Sequence, residues 1–205
     1  MASAHNSLES WTGLLLAGGA SKRMGQCKSQ LRIAGSSSQT FLQHGWSLLQ
    51  SVCEAQFLLG QSLELAEDVQ WMDDSTFAGP LKALADALPK VETEWVLLIP
   101  VDMPGLHQKA LEQFQQFAIE HQSVALTLPE NGQLGFPVAI PRRDFGAIMG
   151  ASEKGASSLF SVLETLTRVN WTATRQAPLV LENINTPQQL RDWRASQESP
   201  WQQSQ

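Results

Sequence analysis

Two apolar runs constrain this chain more than any other feature: TGLLLA at 12–17 and EWVLLIPV at 94–101. A strand with one wet face alternates apolar and polar residues. Runs that stay apolar almost throughout instead predict strands buried on both faces, as in a parallel sheet held between layers of helices. Neither run approaches the ~20 apolar residues that cross a bilayer.

The rest of the chain alternates strand-like and helix-like segments. Residues 39–52 place Phe41, Leu42, Leu48, Leu49 and Val52 on one broad helical stripe. AQFLLG at 55–60 and DVQWM at 68–72 read as strands. Gly79 and Pro80 stand at the N-cap and first position of a helix over 80–89, where the missing proline N–H costs nothing. Leu81, Leu84, Ala85 and Leu88 then recur at helical spacing. Residues 107–121 read as a helix, SVALTL at 123–128 and FPVAIP at 136–141 as strands, and about 142–166 as helical. PLVLENI at 178–184 reads as a last strand, followed by a helix whose Thr186-Pro187-Gln188-Gln189 start has the form of a capping box.

Such alternation predicts an α/β fold: three α/β/α layers, Rossmann-like, around a mostly parallel central sheet. With 205 residues the expectation is one domain over 1–195 and a polar, disordered tail over 196–205. Only Cys27 and Cys53 occur, which excludes a disulfide framework and points to a reducing cytoplasm. MASAHNSLES at the start has neither the charged nor the apolar region of a signal peptide. A net charge of -6 disfavours nucleic acid as a partner, and no segment suggests a membrane.

In sheets of this kind ligands sit beyond the carboxyl ends of the strands. The residues to watch are therefore 18–28, 60–62, 73–80, 102–105 and 183–186. After the first strand, GGASKRMGQCK fits neither standard phosphate-loop pattern. Gly18-Gly19 nevertheless allows a tight turn that points N–H groups at an anion, and Ser21 adds a hydroxyl. No acid lies between Glu9 and Glu54, whereas Lys22, Arg23, Lys28 and Arg32 do. Arg23 offers a planar fork and Lys28 a mobile point charge for phosphate oxygens. A solvated cationic loop is the plainer reading of that cluster taken alone.

Asp102 directly follows a buried run, where a carboxylate is well placed to hold a hard cation together with substrate phosphates. The helix start at Gly79, Pro80 and Leu81 favours negative charge, with Asp73 and Asp74 on the preceding loop. Asn183 and Asn185 lie two apart beside the last helix. They could present amides to one ligand or simply cap the turn.

LLLAGGASKRMGQCK resembles the signature of the molybdopterin nucleotidyltransferase family. DSTFAGPL, LLIPVDMP and NINTPQQL follow in that family's order, so the resemblance spans 12 to about 194. AGPL and NINTP lean towards its guanylyl branch. The resemblance implies a cytoplasmic enzyme that joins GMP from GTP to the terminal phosphate of molybdopterin or molybdenum cofactor, releasing pyrophosphate. It implies nucleotide contacts at Leu16, Ala17 and Gly18, Lys28 on the phosphates, Asp74 ahead of the AGPL segment, and Mg²⁺ on Asp102. Gly19, Ser21, Gly79, Pro80 and Leu81, singled out above by loop and helix-start chemistry, complete the expected nucleotide-binding set. Arg23, Lys28 and Asp102 would carry catalysis, and Asn183 and Asn185 would face the pterin.

Two positions depart from the pattern. Cys27 replaces an aspartate, and Gln61 stands where a guanine-contacting asparagine is expected, so Gln61 takes that place. GFPVAIPRRDFGAIMGASEKGASSL is partly similar to the related cytidylyltransferases, which makes CTP-dependent transfer to the same cofactor the alternative. A nucleotide-binding module without turnover is a third reading. Sugar-nucleotide synthesis ranks lower, because a proline usually precedes the motif lysine in those enzymes. Hand-over partners would be other cofactor-biosynthesis proteins or molybdoenzyme chaperones.

Overall fold

The computed structural model describes residues 10–17, 28–33, 39–60, 71–73, 79–128, 134–172 and 181–197. Among these, strands β1 (Trp11–Leu16), β2 (Ala55–Gly60), β3 (Trp71–Asp73), β4 (Trp95–Pro100), β5 (Val124–Thr127), β6 (Gly135–Pro141) and β7 (Arg168–Trp171) form one sheet. Its order is β3-β2-β1-β4-β6-β5-β7. The described α-helices are α1 (Phe41–Val52), α2 (Pro80–Ala87), α3 (Gln108–His121), α4 (Phe145–Glu153), α5 (Leu159–Leu163) and α6 (Pro187–Gln197), joined by short 3-10 turns at Lys28–Gln30, Leu88–Lys90 and Arg142–Asp144.

The two apolar runs form neighbouring central strands, with Trp11 opposite Trp95 and Leu16 opposite Pro100. Each is buried on both faces. Leu14, Val96 and Leu98 enter one core with Leu81 and Leu84 of α2 and Ile148 of α4. Trp11, Leu15, Trp95, Leu97 and Ile99 enter the other with Leu49 of α1 and Leu111 and Phe114 of α3. Trp11 and Trp95 stack with ring centroids 5.1 Å apart. The α1 helix approaches the sheet through glycine: a Cβ on Gly13 would fall 2.8 Å from Leu49 Cδ2.

The sheet is mostly parallel, as expected. The exception is β6, antiparallel to both β4 and β5. The predicted helical region at 142–166 divides into α4 and α5 at Gly155, whose φ of +86° suits glycine.

The predicted strand at 178–184 is corrected in its described part. Residues 181–185 carry no strand, and the last described strand is β7, paired in parallel with β5. Instead of joining a ladder, Ile184 N–H donates to the Asp102 carbonyl at 2.8 Å. The Ile184 side chain is fully buried in a small third core with Leu31, Phe41, Leu190 and Trp193.

Candidate active site at the carboxyl edge of the sheet

Because β1 to β4 run in parallel, their carboxyl ends share one edge. Leu16, the last residue of β1, accepts a hydrogen bond from Val101 N–H at 3.1 Å, and Ala17 N–H donates to the Leu59 carbonyl at 2.9 Å. Asp102 therefore emerges in the turn just beyond the sheet centre, with buried Val101 and Met103 holding the backbone on either side.

Two distant segments close on it. A short 3-10 turn, Lys28–Gln30, is followed by Leu31, whose N–H donates to the Lys28 carbonyl and whose side chain enters the third core. That core also takes Ile184 and the α6 residues Leu190 and Trp193. One apolar cluster thus holds both the lysine turn and the asparagine segment beside Asp102.

Lys28 Nζ donates to Asp102 Oδ2 at 2.7 Å and to Asn185 Oδ1 at 2.5 Å. The lysine side chain is 18% exposed and the aspartate 15%, so water screens this pair only partly. Asn185 Nδ2 reaches back towards the Asn183 carbonyl at 3.4 Å. The other carboxylate oxygen, Asp102 Oδ1, is buried without a hydrogen-bond partner among the described residues. Leaving such an acceptor unsatisfied costs about 1–3 kcal/mol, and more when it is charged. The chemistry of the donor set fits a hard divalent ion: one carboxylate oxygen is held by the lysine and the other, without a partner among the described residues, would be the one to hold it. No group of three or more His, Cys, Asp or Glu side chains gathers among the described residues. An ion here would therefore share this carboxylate with substrate phosphates, a usual arrangement for Mg²⁺.

Leu16, Ala17, Lys28 and Asp102 thus lie at one edge, and Asn185 joins them directly. Asn183 is linked through its carbonyl. Gly79 has φ +91° and opens α2 ahead of exposed Pro80 and buried Leu81, and a Cβ added to it would meet nothing within 4 Å. Gly18, Gly19, Ser21, Arg23, Cys27, Gln61 and Asp74 lie outside the described residues.

Three supporting contacts were not expected from the sequence. Besides the backbone strap from Ile184 to Asp102, Gln189 Oε1 accepts the Asn185 N–H at 2.8 Å. His44 of α1 bonds through Nε2 to the Leu106 carbonyl at 2.9 Å, bracing the loop after Asp102. Burial lowers the His44 pKa from its ordinary value of 6.5, outweighing the opposing Leu106 bond. A capping-box pattern marked Gln189 as a helix-start residue, but nothing local showed which N–H it would reach.

Fold and edge together define the class, an α/β chain of nucleotidyltransferase architecture. Among solved structures, molybdopterin-guanine dinucleotide biosynthesis protein A from Archaeoglobus fulgidus superposes with a TM-score of 0.71 at 16% identity, covering 90% of this chain and 97% of that one. The family model for the MobA-like NTP transferase domain matches residues 13–169, and the chain belongs to that family. A Mycobacterium ulcerans protein named "Probable molybdenum cofactor guanylyltransferase" is 30% identical over 93% of this chain and 96% of its own length. A Synechococcus elongatus protein of the same name is 36% identical over 52% of this chain, and the match spans 57% of that relative.

Proposed function

We propose that the protein transfers GMP from GTP to the terminal phosphate of molybdopterin or molybdenum cofactor, with release of pyrophosphate. The observation that carries this reading is the Lys28–Asp102–Asn185 cluster at the carboxyl edge, with the second oxygen of Asp102 buried and unpartnered among the described residues. The family and the names of the relatives support the choice of nucleotide and acceptor.

The acceptor phosphate is already anionic at neutral pH, so it requires no side-chain base to become a nucleophile. One of its oxygens forms the new bond to the α-phosphorus of GTP while the bond to the bridging oxygen of pyrophosphate breaks, and pyrophosphate leaves with that electron pair. The protein's task is then positioning and charge stabilisation. Lys28 brings positive charge to the phosphates, and Asp102 holds Lys28 in place. Arg23 and the N–H groups of the Gly18-Gly19 loop would stabilise the charge developing on the phosphates and the departing pyrophosphate. The Leu16–Ala17 backbone and the Gly79-Pro80-Leu81 helix start would line the nucleotide side, and Gln61 for the base and Asp74 for the nucleotide keep the roles that the family resemblance implies. Asn183 and Asn185 face the pterin. Mg²⁺, held by Asp102, would neutralise phosphate charge.

The test is pyrophosphate release with molybdopterin as acceptor, measured in parallel with GTP and CTP and with and without Mg²⁺. Faster turnover with GTP, abolished by EDTA and restored by Mg²⁺, is the expected result. Preference for CTP would replace the guanylyl reading with the cytidylyl one. Saturable nucleotide binding without pyrophosphate release would instead indicate a binding module.

A further inference from the structure

The same helix-start chemistry occurs twice in this protein and closes differently each time. At α1, Thr40 accepts from Gln43 N–H at 3.2 Å while Gln43 Oε1 accepts from the N–H of Thr40 itself at 2.8 Å. This is the ordinary reciprocal capping box. At α6, Thr186 accepts from Gln189 N–H at 3.2 Å, but Gln189 Oε1 passes the cap and accepts from Asn185 N–H at 2.8 Å. The Thr186 hydroxyl reaches the same Oε1 at 3.4 Å. The side chain that would close a helix end thus holds the residue whose amide oxygen meets Lys28.

We infer that Gln189 is a positioning residue for the reaction, acting through Asn185 on Lys28. Neighbouring Ile184 is tied by its N–H to the Asp102 carbonyl and by its side chain to the third core. Gln189 fixes the next peptide group, so the Asn185 side chain leaves a backbone held at two successive N–H groups. Asn185 Oδ1 then accepts from Lys28 Nζ, which also donates to Asp102. A freed Asn185 peptide would let its amide turn away and leave the ammonium one acceptor short. Gln189 need not touch substrate for this effect. The inference rests on the proposed roles of Lys28 and Asp102 in nucleotidyl transfer.

The test compares Gln189→Leu, which removes the acceptor, with Gln189→Glu, which keeps it. Gln43→Leu serves as a matched control, because it breaks the equivalent bond at α1. Turnover, thermal denaturation and hydrogen exchange at the Asn185 N–H are measured on the full chain. Loss of a supporting contact of this kind lowers activity roughly 10-fold or more. Gln189→Leu is expected to lower kcat by about that factor, with nucleotide KM within about twofold, and to speed Asn185 exchange at least about tenfold. Gln189→Glu restores both. Gln43→Leu lowers thermal stability to a similar degree and leaves turnover unchanged. Gln189→Ser, too short to reach Asn185, substitutes if the leucine variant does not fold.

The inference is overturned if Gln189→Leu keeps wild-type turnover, if Gln43→Leu depresses turnover equally, or if Asn185 exchange does not change. A wild-type protein that releases no pyrophosphate with either nucleotide defeats the functional reading instead. The placement of Asn185 is then judged from its exchange and its side-chain amide resonances, which shift in Gln189→Leu and not in Gln43→Leu.

Discussion

Replacing Asp102 with asparagine separates the chemistry of the edge from its stability. The change is nearly isosteric and removes only the carboxylate charge. Lys28 Nζ keeps Asn185 Oδ1 and can retain a neutral oxygen in place of Asp102 Oδ2, now 2.7 Å away. The bond keeps the charged Lys28 donor and loses only the charge of its acceptor; hydrogen bonds to charged groups span about 1.5–3 kcal/mol, so moving within that range costs about 1 kcal/mol. Part of that is offset because the unpartnered Asp102 Oδ1 no longer carries charge into a buried site. A 1 kcal/mol change lowers Tm by roughly 2–4 °C in a domain of this size. Turnover should respond far more strongly. Losing one preorganised electrostatic contact costs about 3 kcal/mol of transition-state stabilisation, or about 100-fold in rate. Pyrophosphate release, a thermal melt and a Mg²⁺ titration on the same preparation read all three quantities. The expected variant is folded, about 100-fold slower and in need of more Mg²⁺ for half-maximal activity. A folded Asp102→Asn protein with turnover within about fivefold of wild type and unchanged Mg²⁺ dependence would refute the reasoning.

Three further perturbations test the supports. Gly13→Ala places a Cβ 2.8 Å from Leu49 Cδ2 and 3.0 Å from Leu49 Cβ, inside the packed face of α1. It should destabilise by about 1–3 kcal/mol in urea titration, and Leu49→Ala in the same chain should recover part of the loss. Gly79→Ala meets no neighbour within 4 Å but must adopt φ +91°. Its cost is therefore backbone strain of about 1–3 kcal/mol, with a raised nucleotide KM because α2 starts at the edge. The pKa of His44 is lowered in the folded protein, so the unfolded chain binds its proton more readily. That contribution is complete above pH 6.5 and is lost as pH falls through the lower folded value. Denaturation midpoints measured as the solution is acidified below pH 6.5 should fall less steeply in His44→Gln than in wild type.

Much of the fold is legible in the chain because burial leaves a local signature. TGLLLA and EWVLLIPV lack alternation, and the structure shows why: Leu14 and Leu98 face one core while Leu15 and Leu97 face the other. Pro80 and Gly79 marked the start of α2, since φ preference and a missing N–H belong to the residue itself. Lys28, Asp102 and Asn185 could be singled out by their positions beside strand or helix ends.

Their meeting could not be read in the same way, because 74 and 157 positions separate the lysine from its two partners. Periodicity reports how buried a residue is, not which distant group it will touch. For that reason the antiparallel course of β6, the pairing of β7 and the diversion of Ile184 from a strand to the Asp102 carbonyl emerge only in the folded chain. Gln189 shows the same limit most sharply. Its sequence context matches that of Gln43, yet one side chain closes its own helix and the other holds Asn185. Local sequence determines that a helix begins there; tertiary packing, through the buried Ile184 anchor, decides which N–H lies within reach.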